Sequence, residues 1–596
     1  MKLPELNEIP VSREMVSVFK GYNHNLRIDD GEFYEMENMV SDHYPVLSPR
    51  GKRGTYAAPE DAQGLIAKDA LCYVDGSDFV INGYHVEMGL SVSEEDCPKS
   101  LVSMGAYVII LPDKKYINTA DLTDFGKIEA SFTTVNPVTF TLCTVDGADY
   151  ELTATGDSEP EDPENMALWL DTSSTPHTLK QWSESSGMWV SIATTYIKIQ
   201  SAGIGKAFEQ YDGIRISGLK DVELVDSTTG NVIDDTEQLQ ALEGAAVVWE
   251  KDDDYIVVIG ILDVTRTISN EITISREMPV MDFVTESENR LWGCRYGPDK
   301  DGNVVNEIYA CKLGDFRNWN CFMSLSTDSY VVSLGSDGQF TGAVTHLGYP
   351  LFFKENCLHK IYGNYPANYQ VQTTACRGVQ KGCDRSLAIV NEVLYYKARS
   401  GVCAYDGSLP EEVSAQLGQE KYSDAVAGAL GNKLYIAMKD SKGKYPLFVY
   451  DTARGMWHKE EHTPAMCFCA CDGELYYIDR ERGEIRTVLG SGTVDRQAVK
   501  WSVETGDLGV EQPDRQYISR LTVRLSMGIG SRIRIYARYD SAGGWENLAI
   551  LSGTSLRTVS VPVRPRRCDH LRLRIEGIGE AKVYSITKNI EYGSEE

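Results

Sequence analysis

The residue types that could do chemistry occur in few usable arrangements. Cys467, Cys469 and Cys471 alternate along MCFCACDG, which places all three on one face of a strand. A zinc knuckle joins one close cysteine pair to a second, and no second pair follows. Cys376 and Cys383 stand too far apart for that spacing. The 14 cysteines therefore read as small buried side chains in a reduced compartment. His458 and His462 are four apart, in what reads as a loop after Trp457. His24, His43, His346 and His359 have no ligand spacing. Asp299, Asp301 and Asn303 alternate over PDKDGN like part of a calcium loop, but the full acidic loop pattern is missing, and any polar turn favours the same residues. No metal and no cofactor is expected.

Nucleophile elbows, phosphate-binding glycine loops, zinc-protease helices and dinucleotide fingerprints are all missing from the sequence. The expectation is a protein that is not an enzyme. Propellers do host glycosidases, but linear spacing pairs no two carboxylates at the ~5–9.5 Å that glycoside hydrolysis needs, so that reading ranks third.

The elements that must position these residues are strands. The chain has 596 residues, enough for several cores. Its 52 Gly and 33 Tyr, with many Val, Ile and Thr runs, suit short strands and tight turns. Between 280 and 490 a unit recurs as ESENRLWGCRYG, LGYPLFFKENCLHKIYG, VNEVLYYKARSGVCAYDG, GNKLYIAMKDSKGKYPLFVYDT and DGELYYIDRERGEIRTVLG. Its marker leucines are Leu291, Leu351, Leu394, Leu434 and Leu475. A period of about 40 residues with alternating strands is that of propeller blades. DALCYVDGSDFVINGYHV and GAYVIILPDKKYINTADL read as two earlier units, and ring closure would set them beside the last one. The fold expected is all-β: a six- or seven-bladed β-propeller with an inserted β-rich domain and a C-terminal β-sandwich.

The expected division is an N-terminal arm (1–60), first propeller blades (61–130), the insertion (131–265), the remaining blades (266–492) and the sandwich (493–596). The insertion is read as emerging from one blade, with short helices at PENMALWLD and DTEQLQALEGA. Its Trp169, Trp182 and Trp189 read as core, with sugar stacking as the alternative. After 493, clean alternation sets Leu521, Val523, Leu525, Ile533, Ile535, Leu571 and Leu573 inward. It sets Arg520, Arg524, Arg532, Arg534, Arg538, Arg572 and Arg574 outward. These arginines either pair with carboxylates across the sheet or form a subunit-docking face.

The formal net charge is −29, which opposes ordinary nucleic-acid binding yet suits a wall that DNA passes without sticking. The first residues, MKLPELNEIPVSREM, have no apolar run and no cleavage site. No apolar stretch is long enough to cross a membrane. The sequence therefore predicts a chain made in a cytoplasm, with no membrane span.

The N-terminal segment VFKGYNHNLRIDDGEFYEMENMVSDHYPVLSPRGKRG resembles the opening of phage virion proteins in which such a string precedes a propeller. The residues that carry the likeness are Gly21, Asn23, Asp30, Gly31, Glu32, Asn38, Met39, Asp42, Tyr44, Pro45, Pro49 and Arg50. WSVETGDLG, RQYISRLTVRL and VPVRPRRCDHLRLRIEGIGEAKVYSI resemble the C-terminal part of such proteins. Together they are similar to the tail nozzle, or packaged-DNA stabilisation, family of short-tailed phages; the insertion departs from a simple nozzle template. The resemblance implies a virion tail protein made in the bacterial host cytoplasm. It implies a homohexamer below the portal and adaptor proteins, around a channel through which DNA passes without specific binding. A host-surface or glycan-binding tail protein is the alternative.

Overall fold

The computed structural model describes residues 11–92, 99–135, 137–220, 222, 224–225, 232–233, 237–299, 302–508, 516–541, 543–563, 568 and 570–592. Alternating apolar residues and tight Gly- and Asn-containing turns give hairpin after hairpin, and these assemble into seven blades among the described residues. Blades 1 and 2 begin at strands Ala62–Lys68 and Ser100–Met104. Blades 3 to 7 begin at Phe283–Ser287, Phe340–His346, Ala388–Val390, Ser423–Leu430 and Ala465–Cys471. Five blade hairpins turn through Asn82-Gly83, Glu288-Asn289, Leu347-Gly348, Asn391-Glu392 and Asp472-Gly473. Both residues of each pair hold positive φ, the geometry whose twist matches the flanking strands.

The inner strands of neighbouring blades touch around the ring, with the short helix Asp384–Ser386 bridging blade 4 to blades 5 and 6. Ala465–Cys471 of blade 7 meets Ala62–Lys68 of blade 1. The fourth strand of blade 7 comes from the N-terminal side: Gly54–Ala57 pairs with Ile485–Thr487 and, on its other edge, with Thr493–Val494, so the two ends of the propeller sequence close the ring by hydrogen bonding. Leu291, Leu351, Leu394, Leu434 and Leu475 all lie on the second strands of their blades and are 0% exposed.

The fold is thus all-β, a seven-bladed propeller with an inserted β-rich domain and a terminal sandwich. The insertion leaves after the outer strand of blade 2, Phe125–Lys127, and returns before blade 3. It lies between blades rather than within one. Two of its sheets pack around Val138, Phe140, Ile197, Ile199, Ile214 and Ile274. A third, Ala154–Gly156, Leu168–Asp171, Thr178–Ser183 and Met188–Ser191, holds the tryptophans. PENMALWLD supplies the strand Leu168–Asp171 instead of a helix, because Trp169 and Leu170 are buried on opposite faces. DTEQLQALEGA keeps a single helical turn, Glu237–Gln240.

The sandwich is built from both ends of the chain. One sheet runs Val11–Val16, Ala581–Tyr592, Gln516–Met527, Arg557–Val561. The other runs Gly21–Tyr22, Glu32–Glu37, Lys500–Thr505, Leu571–Ile578, Arg532–Tyr539, Glu546–Ser552. One apolar core passes from Leu521, Ile533 and Leu573 through Phe33 and Met36 to Phe448 and Trp457 of blade 6.

Candidate functional site

The N-terminal segment that carries the family resemblance fastens the sandwich to the propeller. Gly21 has φ +88, and a Cβ there would lie 2.4 Å from the backbone oxygen of Trp457, so only glycine fits between arm and blade 6. Asn23 donates to Glu32 at 2.9 Å, and Asp30 pairs with Lys588 at 3.1 Å. Asn38 donates to Glu461 at 3.1 Å and to the Lys500 carbonyl at 2.8 Å, and its Oδ1 accepts from Arg50 at 2.9 Å.

Beyond this junction, the outward face of the sheet containing Arg532–Tyr539 and Leu571–Ile578 is the first candidate interaction surface. Strand pairing sets Arg538 opposite Arg572 and Arg534 opposite Glu576. Arg572 pairs with Asp507 at 2.5 Å and Glu504 at 3.3 Å, and its guanidinium lies 4.7 Å from the Tyr34 ring centroid. Its hydrogen bond holds the Asp507 carboxyl below the usual carboxylate range. Arg574 pairs with Glu576 at 2.7 Å. Arg538 and Arg574 lie over Trp545 at 5.0 and 5.8 Å. Asp507, Glu504, Trp545 and Tyr34 belong to this surface but carry no sequence signal, because sheet pairing alone brings them beside the arginines.

Arg532 and Arg534 are exposed and have no ion-pair partner among the described residues. Arg520 and Arg524 correct the expectation of one seven-arginine face. Their strand Gln516–Met527 belongs to the other sheet, and the outward faces of a sandwich point in opposite directions.

The insertion carries the second candidate surface. Trp182 and Trp189 are directly cross-strand, with ring centroids 5.5 Å apart in a T arrangement; Trp169 meets Trp189 at the same distance. Trp169 is 5% exposed and donates its Nε1 hydrogen to the Gly156 carbonyl at 3.1 Å. Lys180 covers its ring at 4.7 Å and bonds Asp171 at 2.6 Å, which holds the Asp171 carboxyl down at about 2. Trp169 is thus core, whereas Trp182 and Trp189 are half-buried. Asn165, Met166, Gln181, Ser183 and Val190 complete an open groove along Trp182.

The remaining constellations are structural in their surroundings. Cys467, Cys469 and Cys471 pack with Leu65, Leu71 and Val80 at the seam of blades 7 and 1. Burial pushes the Cys467 and Cys469 thiols up to about 11 and about 12, away from the reactive thiolate. His458 and His462 lie on the strand Met456–His462 rather than in a loop. Asn303 closes a turn on Asp299, its backbone N–H donating at 2.8 Å; Asp301 lies outside the described residues. Among the described residues no group of three or more His, Cys, Asp or Glu could hold a metal ion.

Ser336 Oγ lies 3.0 Å from His359 Nε2, and His359 Nδ1 lies 2.9 Å from Thr373 Oγ1. This has the outline of a nucleophile and base. Burial and then Lys354 pull His359 down to about 4, and a hydroxyl orienter offers no charge to stabilise an imidazolium. The surroundings oppose that chemistry.

No protein-family model and no curated protein matches the chain. Among solved structures, it is similar to the Pyrococcus horikoshii acylaminoacyl peptidase at 10% identity and TM-score 0.22, with 51% of this chain spanning 47% of that one. It is also similar to the Phanerochaete chrysosporium exo-beta-1,3-galactanase at 8% identity and TM-score 0.19, over 51% of this chain and 94% of that one. The Trypanosoma rangeli sialidase gives 8% identity and TM-score 0.17 over 97% and 96%. Likenesses this distant carry no argument about activity, and the architecture rests on the strand pairing itself.

Proposed function

We propose that the chain is a non-catalytic structural subunit of a phage tail, at the nozzle or head-to-tail junction. It assembles into a homo-oligomeric ring around an acidic conduit that retains packaged DNA and lets it pass at ejection. The observation that carries this reading is the pair Arg532 and Arg534, exposed without ion-pair partners among the described residues of a chain with net charge −29. Such a surface complements the acidic exterior of a neighbouring copy, and a heterologous contact of this kind closes into rings. The continuous core joining sandwich, arm and blades supports a subunit that bears load as one body. Electron microscopy and native mass spectrometry of the purified chain test it. A six-membered ring that binds portal–adaptor particles is expected; monomers that bind no such particle overturn it.

A second reading, a glycan-binding tail protein without catalysis, is favoured by the half-buried Trp182, which pairs with Trp189 and lines an open groove. Binding of host cell-wall fragments to the full chain, lost in Trp182→Ala, would favour it over the conduit.

A further inference from the structure

Arg290 opens the second strand of blade 3 and is 2% exposed. Its Nη1 donates to the carbonyls of Cys311 at 2.7 Å and Asp328 at 2.6 Å, and its Nη2 donates to that of Ser326 at 2.9 Å. A guanidinium has five N–H donors, so the edge formed by Nε and the second Nη2 hydrogen is left over. No carboxylate pairs with it among the described residues. A buried cation without a counter-charge is costly. Tethering the 311–328 segment takes the three carbonyl bonds, and the Tyr369 ring 6.0 Å from the guanidinium carbon offsets part of the charge, but no anion meets it among the described residues.

Arg290 lines a cavity of about 170 Å³ between blades 3 and 4. Trp292 and Tyr369 form one wall, their rings 5.1 Å apart. Tyr349 stands at the mouth, half-exposed, with Lys360 4.2 Å above its ring. Glu288 and Asn364 complete the rim.

We infer that this cavity is a binding site for one acidic sugar unit of the hexuronate class. The carboxylate takes the free Nε/Nη2 edge of Arg290 as a bidentate pair, and the C–H face of the ring lies on Tyr349. Hydroxyls donate to Glu288 and accept from Asn364. Glu288 repels any monoanion alike, but hydroxyl contacts to Glu288 and Asn364 offset that repulsion only in a hexuronate, so the site selects a carboxylate flanked by hydroxyls over a simple carboxylate. The cavity is smaller than a drug-sized pocket, which fits a single ring.

The test is ligand-observed NMR and calorimetry on the full chain, with glucuronate as probe and glucose and acetate as controls. Glucuronate is expected to bind, glucose and acetate far more weakly. Tyr349→Ala and Asn364→Ala, both at the rim, are each expected to weaken glucuronate by about tenfold; Asn364→Ala leaves Tm unmoved, while Tyr349→Ala lowers it slightly because the ring also packs with Tyr362 and Lys360. Arg290→Met is expected to abolish it. Because Arg290→Met also removes the tether, the rim variants decide. Equal binding of glucose, equal competition by acetate, or unchanged glucuronate affinity in both rim variants overturns the assignment.

Discussion

Arg53 Nη2 lies 2.7 Å from Glu460 Oε2, with the two side chains 3% and 2% exposed. This contact joins the arm to blade 6 across most of the chain, and Arg50 reaches the same carboxylate at 3.3 Å. Removing one member of a buried pair strands the other charge, at roughly 3–5 kcal/mol. Glu460→Gln is therefore expected to lower Tm by several degrees and expose residues 11–57 to trypsin. An unchanged Tm would mean that Glu461, 2.5 Å from Arg50, holds both guanidiniums alone.

Two buried histidines set an acid limit. Burial, and then a nearby lysine, pulls His359 and His458 from 6.5 down to about 4. Below about 6.5 the unfolded chain takes up a proton at each, while the folded chain does so only near 4. Stability is full above pH 6.5 and falls as pH drops toward 4, by roughly 3 kcal/mol per histidine. Thermal melts from pH 7 to 4 are expected to show this slope, and His359→Gln with His458→Gln to flatten it. An equally steep double variant would place the acid sensitivity in the carboxylates.

The propeller was legible because each blade repeats a local signal: Leu434 and Leu475 each follow a two-residue turn and are fully buried on the second strand. The six-or-seven count and the meeting of first and last blades were legible too, but the strand that closes the ring was not, because Gly54–Ala57 is a four-residue strand whose partner Ile485–Thr487 is more than 400 residues away. The sandwich showed only its C-terminal strands for the same reason; Gly21–Tyr22 has no period to read. Alternation identified every outward arginine of the surface, but the sheet to which each strand belongs is a tertiary property. Arg524 and Arg534 look alike in sequence and face opposite ways.

On the sandwich surface, charge reversal is expected to separate assembly from stability. Arg532→Glu with Arg534→Glu breaks no ion pair among the described residues but sets a carboxylate opposite Glu576, so Tm is expected to fall by no more than a few degrees, the cost of one exposed cross-strand repulsion. Ring formation is expected to fail in native mass spectrometry. Arg572→Glu faces Asp507 and Glu504 instead and is expected to lower Tm by repulsion. Intact rings in the double variant would remove this surface from assembly.

The three tryptophans are expected to divide by role. Trp169 is buried, hydrogen-bonded to Gly156 and capped by the Lys180–Asp171 pair, so Trp169→Ala leaves a cavity and removes one of two donors to the Gly156 carbonyl, the Thr172 N–H keeping the other at 3.1 Å. A cost of about 3–5 kcal/mol in the unfolding of the insertion follows. Trp182 contacts Trp189 at one edge and the groove at the other, so Trp182→Ala forfeits one aromatic pair and part of its burial, about 1–2 kcal/mol. Chemical denaturation of the full chain, followed by tryptophan fluorescence, measures both. If Trp182→Ala costs as much as Trp169→Ala, the aromatic cluster is a single core, and the groove loses its standing as a binding surface.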